Sequence, residues 1–154
     1  MKKPEINYQE SDIEKVFQTL ISGWNELTEF YHKEVKYDYD DPNSRLPYGD
    51  MGDIAMFIVD KKKSGQTNDF GQFFENAEEI LKHGDDYVQN LMVVGLFEGI
   101  QNIGGREIDY YRSFDQWLKL NSLKAWRELI DFWEKNSWKK TTKSEKILNS
   151  KKTK

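Results

Sequence analysis

Residues 85–105 read Asp85-Asp86-Tyr87-Val88-Gln89-Asn90-Leu91-Met92-Val93-Val94-Gly95-Leu96-Phe97-Glu98-Gly99-Ile100-Gln101-Asn102-Ile103-Gly104-Gly105, and this stretch limits the fold more than any other. Asp85 suits an N-cap, two acids occupy the first turn where the helix dipole favours them, and Gly104-Gly105 supplies a left-handed stop. At 100° per residue the apolar side chains fall on nearly every bearing, and a helix apolar all round belongs in an interior. The spacing predicts a central helix over 85–103 with other helices packed around it. Its polar stripe consists of Asn90, Glu98 and Gln101, which lie within about 80° of one another at 3.6 residues per turn. Gly95 and Gly99 share another face, and each costs about 1 kcal/mol relative to Ala in a helix interior. Close approach of a neighbouring helix is the simplest compensation. Glu98 has two readings: a half-buried carboxylate satisfied by other elements, since an unpaired buried charge is costly, or the acid of a pocket. The second needs another titratable group, and none stands at useful spacing.

The remaining segments read as amphipathic helices. Ser11 and Glu14 form a capping box, and Ile13, Val16, Phe17, Leu20, Ile21, Trp24, Leu27 and Tyr31 follow the i, i+3, i+4 rule, predicting a helix to about Val35 after a frayed start over 1–9. Gly23 inside it hints at another close crossing. A second helix is expected over Asp50–Asp60, with Lys61, Lys62 and Lys63 in its last turn and Gly65 beyond. Thr67 or Asn68 caps a third, with Phe70, Phe73, Phe74, Ala77, Ile80 and Leu81 inward, Glu75, Glu78 and Glu79 outward, and Lys82-His83-Gly84 ending it. Ser113 is expected to cap a short helix carrying Phe114, Trp117 and Leu118. Ser122 then starts a last one with Leu123, Trp126, Leu129, Ile130 and Trp133 in a stripe. Five or six helices and no alternating strand pattern make the expected fold an all-α, single-domain bundle over 1–135, followed by a flexible Lys-rich tail over 136–154.

Two connections stand out. The first, 34–50, is longer than the usual 4–6 residues and interleaves Tyr37 and Tyr39 with Asp38, Asp40 and Asp41. An EF-hand reading fails, because counting from Asp38 puts Asn43 at the sixth position and Gly49 at the twelfth, where Gly and Glu are needed. The second, Arg106–Arg112, carries Glu107, Asp109, Tyr110 and Tyr111. Acids beside flat aromatic rings suit contact with the lysines and arginines of a protein that itself binds phosphate.

Charge supports a protein partner. Residues 1–135 hold 26 of the 27 acids and 16 of the 23 basic residues, a net of −10 that the tail's seven lysines partly hide. Such a body is unsuited to direct nucleic-acid contact and would attract a basic protein. With no cysteine, no signal peptide and no run of 18 apolar residues, a soluble cytoplasmic protein with no membrane contact is expected. There is no phosphate loop, nucleophile elbow or His-x-x-x-His pair. His32 and His83 fall near helix C-termini, where their charge is favoured. Glu29 and His32 match the Glu-x-x-His spacing of a carboxylate metal site, but a single match on a terminal turn is weak support for an enzyme, and no metal, cofactor or catalytic residue is expected.

Three segments together carry a family resemblance: Leu46-Pro47-Tyr48-Gly49-Asp50-Met51-Gly52; Phe74-Glu75 with Glu78-Glu79; and Asn90-Leu91 with Gly95-Leu96-Phe97-Glu98 and Gln101-Asn102. Across roughly residues 45–133, most densely over 90–102, the chain resembles the helical immunity-type proteins encoded beside bacterial polymorphic or contact-dependent toxins. The resemblance implies a cytoplasmic inhibitor that binds its cognate toxin domain, a basic nuclease in the simplest case, as a monomer or 1:1 heterodimer. The expected contact residues are Tyr37, Asp38, Tyr39, Asp40, Asp41, Glu107, Asp109, Tyr110 and Tyr111, with Asn90, Gly95, Glu98, Gly99 and Gln101 structural. The alternatives are a helical adaptor or regulatory domain, and a carboxylate metalloenzyme using Glu29, His32 and Glu98.

Overall fold

The computed structural model describes residues 6–35 and 46–135, and these form an all-α bundle. Its six helices are α1 (Ile13–Ile21), α2 (Asn25–Phe30, continued by a π-helical turn, Tyr31–Val35), α3 (Pro47–Lys63), α4 (Phe70–His83), α5 and α6. Helix α5 is continuous over 86–104 and is built from Asp86–Asn90, a π-helical stretch Leu91–Phe97, and Glu98–Gly104; α6 spans 120–135. The expected contact residues Tyr37, Asp38, Tyr39, Asp40 and Asp41, and the tail over 136–154, lie outside the described residues.

Helix α5 begins as its sequence requires. The Asp85 carboxylate accepts from Val88 N–H at 2.9 Å, satisfying one of the orphan donors of the first turn. At the other end Gly105 takes φ +52° and the helix stops. Val88, Leu91, Met92, Leu96, Phe97 and Ile100 are buried. The helix is not enclosed on all sides, however: Asn90 and Asn102 are exposed, and Val94 and Ile103 are 40 % and 41 % exposed. Nor does its polar stripe hold together. Asn90 reaches the Tyr48 hydroxyl at the surface and Glu98 is half-buried. Gln101 is buried, donating to Trp126 O at 3.3 Å and accepting from Trp133 Nε1 at 3.1 Å. A π-helical turn is wider than an α-turn, so seven such residues rotate everything after Phe97 relative to the 3.6-residue projection.

Helix α3 lies alongside α5. A Cβ added at Gly95 would stand 3.2 Å from Met51 Cβ, and one added at Gly99 would stand 3.1 Å from Ala55 Cβ, so both glycines do admit a close neighbour. Lys63 pairs with Glu107 at 2.9 Å. The offset is the same 44 positions at all three contacts (51 to 95, 55 to 99, 63 to 107), so α3 runs parallel to and in step with the later part of α5 and the turn that follows it. Pro47 opens α3 at its first turn, where the missing N–H costs nothing, so the helix starts three residues earlier than Asp50. Its three terminal lysines serve separate internal contacts: Lys61 pairs with Glu26, Lys62 stands over the Phe114 ring, and Lys63 holds Glu107.

The first helix departs from its expected form. The chain breaks at Ser22-Gly23-Trp24 with Gly23 at φ +84°, a conformation L side chains rarely adopt. Gly23 therefore marks a corner, where an added Cβ would also stand 3.3 Å from Gln72 Cγ of α4, and it turns Trp24 into the rings of Phe57, Phe70 and Phe73. The capping box is absent as well: no side chain caps α1, and Glu14 accepts from the Tyr31 hydroxyl at 2.9 Å instead. The start of the chain is tied down from Asn7, whose N–H, with that of Tyr8, donates to His83 O. Tyr8 O accepts from Asp85 N–H at 2.8 Å. Helix α4 buries all six of its expected inward residues, but its N-cap is Asp69 rather than Thr67 or Asn68, and no side chain bonds there.

Glu78, expected to face solvent, is half-buried and caps another helix. Its carboxylate accepts from Asn121 N–H at 3.0 Å, Ser122 N–H at 2.7 Å and Asn121 Nδ2 at 2.7 Å, placing an anion at the N-terminus of α6. Partial burial raises its pKa, but these hydrogen bonds outweigh burial and hold the carboxyl below its ordinary value of 4.5. A depressed folded pKa stabilises fully above the unfolded value and is lost as pH falls through the folded one. Glu78→Gln is therefore expected to cost about 1–2 kcal/mol at neutral pH, with the gap to the parent narrowing as the medium is acidified below the carboxyl range. Urea unfolding of both proteins across that range measures it.

Candidate functional site: the acidic aromatic turn

Gly105–Ile108 forms one turn of 3-10 helix after α5, and residues 109–117 are turns throughout. The short helix expected after Ser113 does not form. The Ser113 hydroxyl donates backwards, towards Ile108 O at 2.8 Å and Asp109 O at 2.6 Å, so it closes the preceding turn instead of capping a following helix. Phe114 and Leu118 are nevertheless buried.

Helix α6 holds this segment through the segment's own backbone. Trp126 Nε1 donates to Tyr110 O and Arg127 Nη1 to Tyr111 O, both at 2.8 Å. Arg127 also pairs with Asp115, whose Oδ1 is buried without a hydrogen-bond partner, and the Tyr111 hydroxyl bonds Glu134. With the carbonyls of Tyr110 and Tyr111 taken by α6, the segment leaves Glu107, Asp109 and Tyr111 exposed, while Ile108 and Phe114 are buried and Tyr110 packs against the core. Asp109 sits at φ +45°, a left-handed conformation that Asp tolerates better than most residues.

Four expected contact residues, Glu107, Asp109, Tyr110 and Tyr111, are therefore brought together. Glu107, Asp109 and Tyr111 are exposed and Tyr110 is half-buried. Arg106, Asp109, Tyr110 and Tyr111 line an open depression of about 440 Å³. The hydrogen bond to Glu134, with smaller contributions from burial and the carboxylate charge, raises the Tyr111 pKa above 10 despite the nearby Arg112 and Arg127. Tyr111 thus remains a protonated donor at neutral pH. Glu107 is held by Lys63, whereas Asp109 makes no ion pair among the described residues.

The depression has acid, cation and ring groups without a nucleophile–base pair. Among the described residues no three His, Cys, Asp or Glu side chains group as metal ligands, so Glu29, His32 and Glu98 do not converge on one centre. No helix among the described residues is long and apolar enough to cross a membrane. Sequence reasoning missed the supports of this turn, namely Trp126, Arg127 and Glu134. All three lie on the following helix, and no local spacing links them to residues 110–115.

The described residues thus form a small all-α domain that displays an acidic aromatic segment strapped to α6. Over residues 17–134 the chain matches the family described as a domain of unknown function, DUF7674, and it belongs to that family. The match covers the bundle from Phe17 in α1 to Glu134, the partner of Tyr111. Comparison with curated proteins and with solved structures gives no match.

Proposed function

We propose that this protein is an immunity-type inhibitor that binds a basic bacterial toxin domain, a nuclease in the simplest case, and blocks it by 1:1 contact without turnover. The observation that carries the reading is the exposed acid–tyrosine turn Glu107–Tyr111 on a body of net charge −10. A basic partner is drawn to such a body over long range and nucleic acid is repelled by it, so the inhibitor competes for the toxin's own substrate-binding charge. Tyr110 and Tyr111 offer ring surface of low conformational cost at the centre of the contact, and Asp109 offers an unpaired carboxylate. The same chemistry would serve a cytoplasmic inhibitor, which meets the toxin where it acts.

The test is co-expression with the toxin domain encoded by the neighbouring gene. That domain is expected to kill cells unless this chain is present and to purify with it as a 1:1 complex that weakens with added salt. Asp109→Asn and Tyr111→Ala are each expected to weaken the complex about tenfold, measured by calorimetry. A neighbouring product without toxicity, or a toxic one that this chain neither binds nor protects against, would sink the reading.

A further inference from the structure

Among the described residues the parallel pair α3 and α5 leaves one side uncovered. Tyr48, Gly52 and Met56 follow at four-residue intervals on α3, and Asn90, Val94 and Glu98 do so on α5. The hydrogen bond between Asn90 and the Tyr48 hydroxyl puts the two rows on the same side. Met56 is 50 % exposed, and Tyr48 and Val94 are exposed with it. Gly52, where an added Cβ would meet nothing within 4 Å, leaves the space beside Met56 and Val94 open. Its charge has one sign. Residues 46–60 and 84–105 contain Asp50, Asp53, Asp60, Asp85, Asp86 and Glu98, with no lysine or arginine at all. Asp53, Asp60 and Asp86 are exposed.

We infer that this face is a docking site for a segment of a partner protein that is apolar along one side and flanked by lysine or arginine. The apolar side covers Tyr48, Met56 and Val94, and the flanking cations meet Asp53, Asp60 and Asp86. A second copy of this chain would bring the same acids against these, and an anionic lipid surface would be repelled for the same reason. The inference goes beyond the toxin reading and does not depend on it, because the face lies apart from Asp109–Tyr111 and its occupant is defined by chemistry alone.

The test titrates two synthetic amphipathic helical peptides into the ¹⁵N-labelled full chain. Both carry the same leucine–alanine face, and the remaining positions are lysine in one and glutamate in the other. The lysine peptide is expected to shift the amides of Tyr48, Gly52, Met56, Asn90 and Val94 saturably, and the glutamate peptide to leave them in place. Met56→Lys and Val94→Lys are expected to weaken binding at least tenfold with thermal unfolding unchanged. Gly52→Lys, at a position where an added Cβ meets nothing within 4 Å, repeats the test should either of those variants unfold. Four results would overturn the inference: no binding or binding elsewhere; equal binding of both peptides; shifts of these amides with protein concentration alone, which assign the face to a second copy; or shifts on deleting residues 136–154 alone, which assign it to the chain's own tail.

Discussion

Trp126→Ala is expected to lower the unfolding free energy by about 3–5 kcal/mol, the largest loss of any single substitution considered. The indole is fully buried, lies 5.7 Å from the Phe97 ring centre and 4.9 Å from that of Phe114, and closes the contact of α6 with α5. Truncation removes most of a large apolar surface and leaves a cavity walled by rings that are themselves packed on Phe70 and Phe74, so the gap has little means of collapsing. It also strands Tyr110 O, which loses the Trp126 Nε1 donor. Trp126→Phe separates the two effects, because it keeps most of the ring and abandons the hydrogen bond; a loss of about 1–2 kcal/mol is expected there. Urea unfolding followed by far-UV circular dichroism measures both without relying on the tryptophan signal. A cost below about 1 kcal/mol for the alanine variant would mean that α6 is not clamped through this residue. Tyr110 and Tyr111 would then lack the support that holds them in place for a partner.

What could be read in advance divides by the distance over which each signal acts. The Asp85 cap, the Gly105 stop and the six inward positions of α4 are set by neighbours within a turn or two, and they stand where periodicity places them, whereas α3 starts at Pro47, three residues before the expected Asp50. Gly95 and Gly99 were legible for a different reason: two interior glycines carry a helix penalty that only a close neighbour offsets. The break at Gly23 was hidden because Trp24 and Leu27 keep the helical stripe on both sides of it, and the need to turn Trp24 among three phenylalanines is a tertiary demand. The π-helical stretch was hidden as well, since a 3.6-residue projection assumes the rotation it alters. Glu78 is the clearest case of long-range action. Its spacing within α4 marks a surface acid, and only the arrival of Asn121 and Ser122, 43 and 44 positions later, makes it a cap. The acidic aromatic turn was legible as composition, while the groups that aim it were not.

Gly95→Leu is expected to destabilise by about 3 kcal/mol, at the upper end for overpacking. The first carbon of any side chain at 95 already stands 3.2 Å from Leu91 Cδ1, Met51 Cβ and Met51 Cγ, and three more carbons must enter a close contact between two parallel helices. Displacing α3 at this point also moves Ala55 against Gly99 and Lys63 against Glu107, because the pair is in step. Alanine at the same positions poses a finer question, since it recovers about 1 kcal/mol of helix propensity against the cost of the crowding. At Gly99 the obstacle is Ala55 Cβ at 3.1 Å, fixed to a helix backbone and unable to swing aside, so Gly99→Ala is expected to be net destabilising. Ala55→Gly alone costs helix propensity, yet in the background of Gly99→Ala it removes the opposing methyl. The double variant is therefore expected to be more stable than the sum of the single losses predicts, a coupling read from a double-mutant cycle of urea midpoints. Simple additivity would separate α3 from α5 at this level. Positive coupling ties the stability of the bundle to the close approach of α3 and α5 that sets the rows of Met56 and Val94 side by side.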